Sequence, residues 1–143
     1  MSALDYAARH AMGRAVRGTA LVAKDAFSAR YDLDRIGGRF SRPQHRLAGE
    51  SYVGRILVLD TAKGGVATAW MLYEMAARGI VPLALVFNSV NPIMVQGAAL
   101  ADLPMLAGFD FDITARVRTG DEVEIDPAAR TLRVLGVRTG TSP

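Results

Sequence analysis

Lys63, Gly64, Gly65 and Thr68 fall close together in the stretch "DTAKGGVATAW", and side chains of these types in that order could hold an anion. A lysine brings charge. Adjacent glycines remove side chains, so backbone N–H groups can approach a ligand closely. A threonine offers a hydroxyl. A second stretch, "NSVNP", offers the amides of Asn88 and Asn91. The first stretch is neither a Walker A loop nor a G-x-G-x-x-G turn. A tight connection explains two glycines equally well, and Lys63 reads equally as a solvated loop charge. Cysteine is absent, which excludes disulfides, a thiol nucleophile and thiolate ligands for zinc or an iron–sulfur cluster on this chain. The two histidines, His10 and His45, are expected at the surface or as caps, and no metal site is expected. No Ser-His-Asp set can be assembled.

The elements that must position these residues are clearest in the middle of the chain. "RILVLD" (55–60) is a short buried strand. A helix is expected from Thr68, as its cap, to Arg78, with Gly79 as the stop. "VPLALVF" (81–87) is the next strand. Asn91 then caps a helix to about Leu100, with Pro92 in the first position, where a missing N–H costs little. "DLPML" (102–106) is a third strand. This order is β-α-β-α-β, hence parallel strands with right-handed crossovers. In such sheets ligands collect outside the carboxyl ends of the strands, and both stretches must lie there. Each leads into a helix N-terminus, where free N–H groups and the dipole favour an anion. Upstream, residues 3–12 suit one short helix, "RAVRGTALVA" suits a strand, and a long Gly/Pro/Ser-rich loop follows. Downstream, "DEVEID", "PAAR" and "TLRVLG" read as a β-hairpin. The fold class is α/β with added antiparallel strands.

The first helix carries a second signal. Ala69, Leu72, Met75 and Ala76 make one apolar stripe, while Trp70, Met71 and Tyr73 lie off it. A helix apolar on most of its circumference is buried on more than one side. Either the N-terminal loop folds over it or a partner protein does.

The chain has 143 residues, 50% of them hydrophobic and 22% charged, which suits a single domain with a real core. Residues 1–12 read as an N-terminal extension and 136–143 as a flexible tail. The net charge of +3 is uneven: residues 1–55 carry ten Lys/Arg against five Asp/Glu, and residues 56–143 carry seven against nine. The basic half admits nucleic acid or an acidic substrate, but its arginines are scattered, as on a solvated face or a protein interface. No apolar run approaches the length of a membrane span, and the N-terminus lacks a signal-peptide pattern. A cytoplasmic protein is expected, without nucleic-acid or membrane partners.

Several segments in this order resemble the small subunit, or swivel domain, of the aconitase X family: "GTALV" with "DAFS", "DLDRIGGRFSRPQHRLAGESYVGRILVLD", "AKGGVATAW", "RGIVPLALVFNSVNPIMVQGAALADLPML" and "TGDEVEID". The resemblance runs from about Gly13 to Asp126. It implies a swivelling β/β/α domain that closes over the substrate of a large subunit, which carries an iron–sulfur cluster. This chain would itself bind no cofactor. The implied activity is hydro-lyase (dehydratase) chemistry on a small hydroxy acid such as cis-3-hydroxy-L-proline or, as in archaeal relatives, mevalonate 5-phosphate. In aconitase-like swivel domains a loop serine can serve as the base. Residues 63–70 here contain no serine, and Thr68 is the only hydroxyl, so Thr68 is the candidate catalytic side chain. That departure from the Ser-rich archaeal loop points toward the hydroxyproline branch. Lys63, Gly64, Gly65, Thr68, Asn88 and Asn91 are the candidate substrate-binding residues. The competing reading is a stand-alone binding module for an anionic metabolite.

Overall fold

The computed structural model describes residues 4–27, 32–62 and 66–136. Among these, eight strands join one sheet: β1 (Leu4–Ala7), β2 (His10–Met12), β3 (Val16–Val22), β6 (Ile56–Thr61), β7 (Ala84–Ser89), β8 (Met105–Ala107), β9 (Glu122–Asp126) and β10 (Thr131–Gly136). Two short strands, β4 (Leu33–Asp34) and β5 (Arg39–Phe40), pair as a separate ribbon. The order across the sheet is β1-β10-β9-β3-β6-β7-β8-β2. The four strands β3, β6, β7 and β8 are parallel, with Ala20 beside Ile56, Ile56 beside Ala84 and Leu85 beside Met105. Helix α1 (Val66–Ala77) connects β6 to β7, and α2 (Pro92–Leu100) connects β7 to β8. The expected β-α-β-α-β core is therefore present.

Strand β3 belongs to two neighbourhoods. Its first half, Val16–Thr19, pairs antiparallel with β9, and its second half, Ala20–Val22, pairs parallel with β6. The sheet folds over at this strand and encloses a second core. On one face Leu57, Leu59, Leu85 and Phe87 pack against Leu72 and Met75 of α1 and Met94 and Ala98 of α2. On the other, Ile56, Val58 and Val86 pack against Val123, Ile125 and Leu132 of the β9–β10 hairpin. Alternation along each strand decides which core a residue enters. The result is three layers in the order helices, sheet, hairpin.

Both helix ends follow from their sequences. Asn91 caps α2: its side chain accepts from the Met94 N–H at 2.8 Å, and Pro92 takes the first turn, as predicted. Such a cap is worth about 1 kcal/mol. At the end of α1, Ile80 N–H reaches Met75 C=O and Gly79 N–H reaches Ala76 C=O, with Gly79 at φ +73°. This is the Schellman closure that a glycine permits. The helices pack closely because position 97 is glycine; a Cβ there would lie 2.7 Å from Ala69 Cα.

Four expectations are corrected. Residues 3–12 are not a helix: Leu4–Ala7 and His10–Met12 are strands at opposite edges of the sheet, paired with β10 and β8. Long-range pairing overrides the alanine-rich local signal there. Helix α1 begins at Val66, so Thr68 lies within it and is not its cap. The third parallel strand starts at Met105 rather than Asp102, because Asp102, at φ +56°, closes α2 with the same hydrogen-bond pattern as Gly79. His45 is buried rather than at the surface. Its ring stacks on Phe40 at 4.7 Å between centroids, Nδ1 accepts from Leu47 N–H, and Nε2 donates to the Ala26 carbonyl. Of the expected tail, 136–143, Gly136 belongs to β10, where it pairs with Glu122, and residues 137–143 lie outside the described residues.

Candidate functional site

The carboxyl ends of β3, β6 and β7 form one rim, and consecutive residues on each strand point to opposite faces of it. Asp60 and Asn88 face the hairpin side. Thr61 and Ser89 face the helix side, beside the chain that leads into α1.

On the hairpin side the polar groups are tied to each other. The Asn88 side-chain NH2 donates to Asp60 Oδ1 at 2.9 Å and to Asp112 Oδ1 at 2.8 Å. Its carbonyl oxygen accepts from Ile113 N–H at 2.8 Å. Asp112 also accepts from Thr114, through Oγ1 at 2.6 Å and N–H at 3.0 Å, and pairs with the Lys24 ammonium. Partial burial pushes the Asp112 carboxyl up. The donated hydrogen bonds of Lys24, Thr114 and Asn88 outweigh that and hold it well below the usual carboxylate range. The same Asp112 carboxylate raises Lys24 above its ordinary value. This cluster clamps three strand ends to the 3-10 turn Ile113–Ala115.

On the helix side Ser89 Oγ donates to Thr61 Oγ1 at 3.0 Å, and Ser89 is exposed. A hydroxyl pair thus stands where β6 passes into the loop before α1. Phe27 N–H donates to the Thr61 carbonyl at 2.7 Å and fixes the base of that loop.

Of the residues singled out from sequence, Lys63, Gly64 and Gly65 lie outside the described residues, as does the side chain of Thr68. Asn88 and Asn91 are separated by function. Asn88 has committed both amide hydrogens within the clamp, whereas Asn91 caps α2 and lines a groove on its outer side. Thr61 and Ser89 escaped notice. The signal for them was available: in register they are neighbours at the last positions of adjacent parallel strands. Trp70 and Tyr73 are 60% and 48% exposed, and their rings meet edge to face at 6.1 Å. Met71 is half-buried against the helix-side core. The described part of the N-terminal loop therefore leaves the aromatic pair exposed.

The chain cannot ligate an iron–sulfur cluster through thiolates, having no cysteine. Among the described residues no three His, Asp or Glu side chains converge to hold a metal ion. No described helix is long and apolar enough to cross a membrane.

Helices on one face of a partly parallel sheet, a hairpin folded over the other and a polar rim at the strand ends define a small β/β/α domain. The family model of the aconitase X swivel domain matches residues 5–134, and the chain belongs to that family. It is 33% identical over 115 residues to the phosphomevalonate dehydratase small subunit of Methanopyrus kandleri, covering 80% of this chain and 85% of that one. It is 29% identical over 121 residues to the protein of the same name from Pyrococcus abyssi, covering 85% and 91%. The crystal structure of Thermococcus kodakaraensis aconitase X in its holo-form superposes with a TM-score of 0.86 at 23% identity, over 93% of this chain and 99% of that one. That likeness shows the fold.

Proposed function

We propose that this chain is the small subunit of an aconitase-X-type hydro-lyase, inactive alone, that closes over a small anionic hydroxy acid held by a larger subunit. The observation that carries the proposal is the family match across residues 5–134, shared with relatives named as dehydratase small subunits. The open rim supports it. A helix start and a lysine favour a carboxylate or phosphate, and the Thr61–Ser89 hydroxyls stand at its base.

The chemistry is loss of water: a proton leaves the carbon alpha to a carboxylate and a hydroxyl departs from its neighbour. An iron–sulfur cluster in this reaction belongs to the large subunit, since this chain has no cysteine. The part of this chain is to bind the anionic end through Lys63 and the loop amides, to orient it, and to exclude water. Thr68, in the first turn of α1, remains the candidate base, with Ser89 as the alternative hydroxyl. The complex acts in the cytoplasm.

The substrate reading is cis-3-hydroxy-L-proline, supported by the absence of serine from residues 63–70. Mevalonate 5-phosphate is the second reading, favoured by the names of the relatives. Co-purification with the natural large subunit, followed by assays on both compounds, separates them. Dehydration should require both subunits, and Lys63→Ala and Gly65→Val should each reduce turnover while assembly persists. Appreciable turnover by this chain alone overturns the subunit reading. Wild-type turnover in both variants reduces the loop to a tight connection.

A further inference from the structure

We infer that a groove between α2 and the edge strand β2 is a second ligand site on this chain, for a short branched-chain monocarboxylate. Strand β2 is the edge of the sheet beyond β8, and the cavity is lined by His10, Ala11 and Met12 of β2 together with Val95 of α2. The floor is Met105 and Ala107 of β8, and the walls are Val90 and Val95 on one side and Met12 on the other. The small side chain at Ala107, paired in register with His10, leaves an apolar slot of about 60 Å³. The slot opens into a groove of about 620 Å³ whose mouth carries Arg9, Arg130, Asn91 and Gln96.

The chemistry at the mouth has one sign. Among the described residues no acidic side chain lines either cavity. Arg9 is paired with exposed Asp110, which leaves the Arg130 charge uncompensated within the lining. The Asn91 oxygen is committed to the α2 cap, which leaves its NH2 as a donor. A single negative charge therefore matches the mouth. A cavity of 150 Å³ accommodates benzene, so a slot of about 60 Å³ is of a size for an isopropyl group. The groove lies on the side of α2 away from α1. Gly97 faces α1, and at about 100° per residue Val95 points to the opposite side of α2.

The test is titration of the full-length chain with isovalerate, read by shifts of the Val90 and Val95 methyl resonances. Saturable binding is expected, with acetate and neutral isovaleramide each weaker by about ten-fold or more. The double variant Arg9→Gln/Arg130→Gln, changed only at exposed positions, should weaken isovalerate by a similar factor while its unfolding midpoint holds. Ala107→Val should abolish binding by filling the slot. The proposal is overturned by the absence of saturable shifts, by equal binding of isovaleramide, or by undiminished binding in the arginine double variant. None of these outcomes bears on whether the chain serves a dehydratase, because the titration uses neither the large subunit nor its substrate.

Discussion

Asn88 and Ser89 are consecutive residues at the end of β7, and they meet opposite fates. Asn88 turns to the hairpin side and finds two carboxylates and a backbone N–H waiting, so that both its hydrogens and its oxygen are engaged. Ser89 turns to the helix side and finds one hydroxyl and open solvent. A saturated cluster fixes geometry but has little left to offer a ligand. An exposed hydroxyl beside a helix start can still form hydrogen bonds. The hairpin side of the rim is scaffold, and the helix side is the one our proposal assigns to the substrate.

Perturbing the clamp should give the largest effect on the isolated chain. Asn88→Leu keeps the branching and heavy-atom count but removes the hydrogen bonds to Asp60, Asp112 and the Ile113 N–H. A loss of about 2 kcal/mol or more is expected in urea unfolding. An unchanged midpoint would mean that water substitutes fully and that the cluster is no clamp. Next in size is Asp112→Asn, expected to cost about 1 kcal/mol at neutral pH because Lys24 is exposed and screened. This effect carries a pH signature. The folded carboxyl titrates below its unfolded value, so its contribution is complete above the ordinary carboxylate pKa of about 3.9. It is lost as pH falls from there toward the lower folded value. Wild type and Asp112→Asn should therefore converge in stability on acidification below about pH 4.

Perturbing the helix side should leave the isolated chain almost untouched. Ser89→Ala should shift stability by no more than about 0.5 kcal/mol yet lower turnover of the assembled complex. If turnover holds, Ser89 is a bystander and the comparison narrows to the loop itself. Trp70→Ala should have the smallest effect on stability, since Trp70 is 60% exposed, while loosening association with the large subunit. Sedimentation of the mixed subunits would show it, and equal association would assign the aromatic pair to open surface.

The punctuated parts of this fold were legible in the sequence, and the parts made by distant partners were not. Asn91–Pro92 and Gly79 act within a few residues, and each does what its type dictates. The rim was legible too, because β-α-β order alone places both stretches at the strand ends. Residues 4–12 were illegible: their strands exist only through pairing with Val134 and Ala107, far along the chain. The clamp around Asn88 was illegible as well, since its partners Asp60 and Asp112 lie far from it along the chain. His45 was misplaced for a similar reason, its burial depending on Phe40 and on the backbone of Ala26.

The pairing of β1 with β10 also sets an order on synthesis. A ribosome extends a chain at about 5–20 residues per second, so residues Leu4–Ala7 emerge many seconds before Thr131–Val134 exist to receive them. The front half of β3 waits as well, because its partner β9 comes far later in the chain. Until β9 and β10 have emerged, the nascent chain displays unpaired strand edges on β1 and on the front half of β3.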